Sequence, residues 1–173
     1  FEALSTEDAN GNNTAIGFNS GSTITTSTYN SCIGHGAEPT VATATGEFTL
    51  GDSNVAVLRC QQTTVTALSD QRDKTSIEDL PYGLDFINSL QPRKFVWDNR
   101  AEIDSDGNEY FSLNKGKKDI GFIAQELQTV DDEWLNLVYD SNPERLEASY
   151  GKLIPVLVKA IKELKARVEA LEA

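Results

Sequence analysis

The chain has 173 residues, 39% of them hydrophobic, and a formal net charge of −12. That length holds one ordinary domain or two small ones. The charge argues against nucleic acid and anionic lipid as partners, since both call for a basic surface, and no apolar run approaches the length that spans a bilayer.

There is no methionine, even at the start, so the chain reads as a piece of a longer protein. Phe1 onward does not resemble a signal peptide. Cys32 and Cys60 are the only cysteines. Two do not make a disulfide scaffold and lack metal-site spacing, so buried free thiols are expected, with no metal and no cofactor. The single histidine, His35, stands far along the chain from other catalytic candidates, which argues against a histidine-based triad.

Residues 1–68 are rich in Gly, Thr, Ser and Asn and contain no lysine; Arg59 is their one base. Ala15-Ile16-Gly17, Cys32-Ile33-Gly34 and Thr49-Leu50-Gly51 form a weak repeat with glycine every 17 residues. A short strand ending at glycine, followed by turn residues, is the pattern of stacked β rungs around a shared core. Val55–Leu58 and Thr63–Thr66 read as further short strands.

Beyond Ser69 the pattern becomes mixed helix and strand. Asp79-Leu80-Pro81 predicts a helix start, with proline in the first turn. Leu80, Leu84 and Ile87 then share a face, and Gln91-Pro92 stops the helix. Phe95 and Trp97 alternate as in a half-buried strand. Asp104-Ser105-Asp106-Gly107-Asn108 lacks the glycine position and closing glutamate of a calcium loop, so a hairpin turn on Asp-Gly is expected. Ile120–Ile123 predicts a strand, Ala124–Leu127 a short helix, with Glu126 an ordinary helix-start acid, and Trp134–Tyr139 another strand.

The final segment, 149–173, predicts a coiled-coil helix. Ile154, Leu157, Ile161, Leu164, Val168 and Leu171 alternate spacings of three and four, with Lys and Glu outside them. Pro155 sits where a first helical turn tolerates it. Side-chain rules alone lean weakly toward two strands for this order of β-branched residues and leucine.

The candidate chemistry lies at the compositional boundary, in Ser69-Asp70-Gln71-Arg72-Asp73-Lys74. Lys74 is the first lysine of the chain. A serine beside a neutral lysine can cut a peptide bond without histidine. Burial of the amine would supply neutrality, and the serine would attack the Leu68 carbonyl. By spacing alone a solvated charged linker is much the better explanation of the stretch, since Ser and Lys five residues apart are a common accident.

Four blocks in order resemble the C-terminal intramolecular chaperone, or autoprocessing, domain of phage tailspikes, neck appendages and tail fibres, best known from endosialidases. They are Ser69–Lys74, Leu90–Trp97, Asp119–Leu127 and Tyr150–Leu164. The resemblance implies an α+β homotrimer. A β-rung fibre segment, 1–68, would precede a mixed α/β chaperone domain, 69–173, that ends in a long coiled-coil helix. It implies a chaperone that assembles the upstream fibre module of its own chain, then releases itself between Leu68 and Ser69. Ser69 matches the family's nucleophile and Lys74 its lysine partner; Asp70 and Arg72 match motif positions of unassigned role. The implied trimer overrides the two-strand lean. The mature part would belong to a virion tail fibre or spike, the released domain to the host cytoplasm. The alternatives are a permanent, non-catalytic trimerisation cap and a shed fragment of a transcription-factor precursor, which the acidic first module argues against.

Overall fold

The computed structural model describes residues 2–8, 11–62, 64–103 and 108–172. It is a mixed α/β chain ending in a long helix, and its contacts gather into two compact units, each drawing on separated stretches of sequence.

One unit comprises Phe1–Leu58, Lys94–Ile120 and Asp140–Leu146. Strands β1 (Thr14–Ile16), β2 (Ser31–Ile33) and β3 (Phe48–Leu50) form a parallel sheet in that order. Thr14 stands opposite Ser31, and Ser31 opposite Phe48. Hydrogen bonds repeat from rung to rung. Gly34 N donates to Ile16 O and Gly51 N to Ile33 O, both at 2.8 Å. The Asn13 and Asn30 side chains each accept from the backbone one period ahead, at Asn30 N (2.8 Å) and Glu47 N (3.0 Å). Ile24, Cys32 and Ala37 are fully buried, with Leu4 and Ala15 packed against them. Burial pushes the Cys32 thiol up to about 11.

The glycines that close the rungs have φ of +136° (Gly17), +120° (Gly34) and +70° (Gly51), where a side chain is strained. A Cβ on Gly17 would stand 2.4 Å from Gly34 O, and one on Gly34 2.9 Å from Gly51 Cα. Glycine is therefore needed at positions 17 and 34, where the backbone of the next repeat lies against it.

β5 (Glu102–Ile103) and β6 (Glu109–Tyr110) pair antiparallel. Residues 104–107 of the expected Asp-Gly turn lie outside the described residues. β4 (Arg93–Val96) pairs with β7 (Lys118–Gly121), and Trp97 N extends the ladder to Lys117 O at 2.9 Å.

The other unit comprises Arg59–Arg93, Gly121–Tyr139 and Glu147–Ala173. It contains α1 (Leu84–Ser89), α2 (Ala124–Gln128), the strand pair β8 (Val138–Tyr139) and β9 (Glu147–Ala148), and α3 (Leu153–Glu172). α3 carries two apolar stripes. Leu153, Val156 and Ala160 are buried, while the predicted seam from Ile154 to Leu171 is exposed at every one of its six positions.

Several local expectations fail for identifiable reasons. The first helix starts at Leu84 rather than near Leu80. Its first turn is satisfied from a distance, by the Glu163 carboxylate accepting from Leu84 N at 2.7 Å. Trp134–Leu137 is not strand: Asp132 and Asp131 carboxylates take the N–H groups of Trp134, Leu135 and Leu137, and Asn136 has φ of +50°. Phe122 and Ile123 likewise fall beyond the end of β7.

Val55–Leu58 is not a strand either. Its entry is pinned by Asn114 Nδ2, which donates to Ser53 O (2.9 Å) and Val55 O (3.2 Å). Thr64–Thr66 is exposed and outside any sheet; Thr63 lies outside the described residues. Cys60, expected buried, is exposed and donates to Gln62 O at 2.8 Å.

Candidate functional site

Residues 64–70 run without regular structure into a single 3-10 turn, Gln71–Asp73. The turn closes through Asp73 N donating to Asp70 O (3.2 Å) and Lys74 N to Gln71 O (3.1 Å). Bonds from one residue to the third beyond it tighten the chain. That tightening folds Lys74 back over Ser69, and Lys74 Nζ donates to Ser69 Oγ at 2.5 Å. Five residues of separation in sequence become one hydrogen bond in space.

Asp70 and Arg72 account for the turn. Asp70 caps it, accepting from Arg72 N at 2.9 Å. The same carboxylate takes Arg72 Nε (3.0 Å) and Nη2 (2.6 Å), a bidentate pair. The Arg72 side-chain bonds, with its backbone N–H behind them, hold the Asp70 carboxyl below the usual carboxylate range; Asp70 in turn pushes Arg72 up. Arg72 is thus engaged with Asp70, and Lys74 is the cation that reaches Ser69. Sequence reading left Asp70 and Arg72 without a role; the signal that could have found one is the Asx-turn spacing of Asp70 to Arg72.

Ser69 and Lys74 are both exposed, and Leu68 is 101% exposed. A lysine acting as base must shed its proton, and a low-dielectric setting favours that. The single chain supplies the hydrogen bond without the burial.

The other blocks singled out in the sequence brace this unit. Arg93 holds Glu126 of α2 through Nε (3.0 Å) and Nη2 (2.7 Å). The Tyr150 hydroxyl accepts from Phe122 N at 3.1 Å, and the two rings meet edge to face. Lys159 Nζ donates to Leu80 O at 2.5 Å. The seam residues Ile154, Leu157, Ile161, Leu164, Val168 and Leu171 are not brought to Ser69; they form an exposed stripe on α3.

Among the described residues, no group of three or more His, Cys, Asp or Glu side chains could hold a metal ion. Among the same residues, no helix is long and apolar enough to cross a membrane.

Comparison with known proteins gives one finding. Residues 69–136 match the family described as chaperone of endosialidase. The match begins at Ser69 and includes the turn, the Leu90–Trp97 block and the Asp119–Leu127 block, and it ends before α3. No curated protein and no solved structure matches the chain. Over residues 69–136, less than half of its length, the chain is similar to the endosialidase-chaperone family, a family that also bears the name of a peptidase.

Proposed function

We propose that this chain is the assembly end of a trimeric viral tail fibre or spike, joined to a self-cleaving chaperone. Residues 1–68 belong to the fibre and 69–173 to the chaperone, which brings three copies together, sets the register of the rungs, then cuts between Leu68 and Ser69. The observation that carries this reading is the Lys74–Ser69 hydrogen bond at the first residue of the family match.

The chemistry follows from the two groups. Ser69 Oγ attacks the Leu68 carbonyl carbon as Lys74 takes its proton. A C–O bond forms, the Leu68–Ser69 C–N bond breaks, and the proton passes to the departing amine. The resulting ester joins Leu68 to the Ser69 side chain. Water then hydrolyses it, giving a Leu68 carboxylate and a free Ser69 amine. Lys74 must be neutral to begin, so the step waits for a surface that covers it.

The exposed stripe of α3 supplies the reason to assemble. Apolar residues from Ile154 to Leu171 lie unburied on one helix, in the three-four spacing of a coiled coil. Three such helices would bury their seams together and hold three fibre strands at high local concentration. Rungs shared between chains form slowly because their contacts are non-local. A template that assembles first shortens that search. Its removal leaves the fibre behind its unfolding barrier.

A permanent cap without catalysis is the second reading, favoured by the exposure of Ser69 and Lys74 in the single chain. Refolding tests the chaperone role under either reading. The Ser69→Ala chain, denatured and diluted, is expected to regain its trimer, while residues 1–68 alone are not. Recovery of trimer by 1–68 alone would remove the need for a chaperone.

A further inference from the structure

We infer that Val65-Thr66-Ala67 is a fourth rung, unformed in the single chain, which adds to the free edge of β3 during assembly and thereby places the Leu68–Ser69 bond. This rests on the self-cleaving reading for its consequence, but not for its structure.

The register carries the inference. Thr14, Ser31 and Phe48 are stacked at a constant step of 17 residues, and one further step lands on Val65. The three middle positions are Ala15, Cys32 and Thr49, small residues that are buried or half-buried; the fourth would be Thr66, also small. The connector from β3 to Val65 has the same length as those between the existing rungs. Among the described strands β3 lies at the edge of its sheet, where one more parallel strand can add once the Val55 side chain, which stands against Gly51, moves aside.

The closing position is the telling one. Gly17 and Gly34 each need to lack a side chain because the next rung's backbone lies within 3 Å of where a Cβ would be. At the fourth step the residue is Leu68. Nothing can stack above a leucine there, and after the last rung nothing needs to. Leu68 therefore marks the end of the stack, one residue before the nucleophile. The existing rungs also show what would hold it. Gly34 N and Gly51 N donate to the carbonyls of Ile16 and Leu50's equivalent, Ile33. By the same register Leu68 N would donate to Leu50 O, fixing the residue whose carbonyl is attacked.

The single chain explains why the rung waits. Phe48 is 65% and Leu50 47% exposed, so the outer face of β3 has no cover to share with a new strand. Neighbouring copies would supply it. Completion of the fibre base would then precede cleavage, and the chaperone would not be lost from an unfinished stack.

Hydrogen exchange on the Ser69→Ala chain tests this, since that chain stays whole. In its trimer the amides of Thr66 to Leu68 are expected to exchange at least about a hundredfold slower than in the monomeric Ser69→Ala, Ile161→Asp chain. Thr66→Pro, which removes a ladder donor, should restore fast exchange at Leu68 and slow cleavage at least about tenfold, with the trimer intact. Fast exchange at 66–68 in a trimer whose Cys32 and Ile33 amides are protected would overturn the fourth rung. Protected amides beside an uncut wild type would retain the rung and sink the self-cleaving reading instead.

Discussion

Lys74 Nζ donates to Ser69 Oγ at 2.5 Å, and only Asp70 and the three-residue 3-10 turn that it caps separate the two ends of that bond. The relationship is local, so it survives in one chain without help from a neighbour. Its chemical use depends on which partner holds the proton. Lys74→Arg keeps a cation in place but cannot become a neutral base, because guanidinium does not deprotonate in proteins. Lys74→Arg and Lys74→Ala are both expected to lose cleavage, read as intact chain after prolonged incubation of the trimer. Cleavage retained by the arginine variant would mean that Lys74 contributes charge and not proton transfer.

The Asp70–Arg72 pair sets the turn, so it should set the rate. Asp70→Asn keeps an acceptor for Arg72 N but loses the bidentate ion pair; Asp70→Ala loses both. Losing the cap should lower the population of the closed turn. A time course of cleavage should rank wild type above Asp70→Asn and Asp70→Asn above Asp70→Ala. Equal rates for all three would show that the turn forms without them.

If the exposed stripe of α3 is the trimer seam, substitutions there should separate assembly from folding. Ile161 is 65% exposed, whereas Val156 and Ala160, on the buried stripe, pack within the chain. Ile161→Asp should therefore leave the monomer's helix content unchanged and abolish the trimer, as read by sedimentation. Leu157→Ala would weaken the trimer by about 2–5 kcal/mol per protomer if that seam is buried on association. A trimer that tolerates Ile161→Asp would place the interface elsewhere.

Two carboxylates give this unit an acid limit. Arg93 holds Glu126, and the Tyr82 hydroxyl, with backbone N–H groups, holds Asp132, so both ionise below the usual carboxylate range. A depressed carboxylate stabilises the fold above its unfolded value, about 4, and loses that contribution as the pH falls through its folded value. The midpoint of thermal unfolding should drop in this window. The gap between wild type and Glu126→Gln should be widest near neutrality and close in acid. A gap that does not change with pH would assign the effect of Glu126 to packing.

Glycine 83 offers a check on how α1 is started. A Cβ there would stand 2.3 Å from the Glu163 carboxylate that caps Leu84 N. Gly83→Ala and Glu163→Ala should therefore cost similar amounts, about 1 kcal/mol each, and the double variant little more than either, since both remove one interaction. Full additivity in denaturant unfolding would contradict that.

What the sequence made legible was periodic or local. The long helix α3 could be read because its three-four apolar spacing needs no knowledge of the rest of the chain. The tripeptides before Gly17, Gly34 and Gly51 could be read because each glycine marks a backbone turn that recurs at one interval. Ser69 and Lys74 could be paired because one short turn joins them. The failures were tertiary. Leu84, not Leu80, begins α1 because Glu163, far along the chain, caps it. Trp134–Leu137 looked apolar enough for a strand, but the Asp131 and Asp132 carboxylates take its N–H groups into a turn. Cys60 looked like a buried thiol by composition and lies on an exposed arm.

Self-cleavage is tested most directly by the intact mass of the wild-type chain under denaturing conditions, beside Ser69→Ala prepared in the same way. Two fragments parting between Leu68 and Ser69 in the wild type, with the variant whole, are the expected result. A wild type that stays whole while it is trimeric would contradict self-cleavage and leave residues 69–173 as a permanent cap.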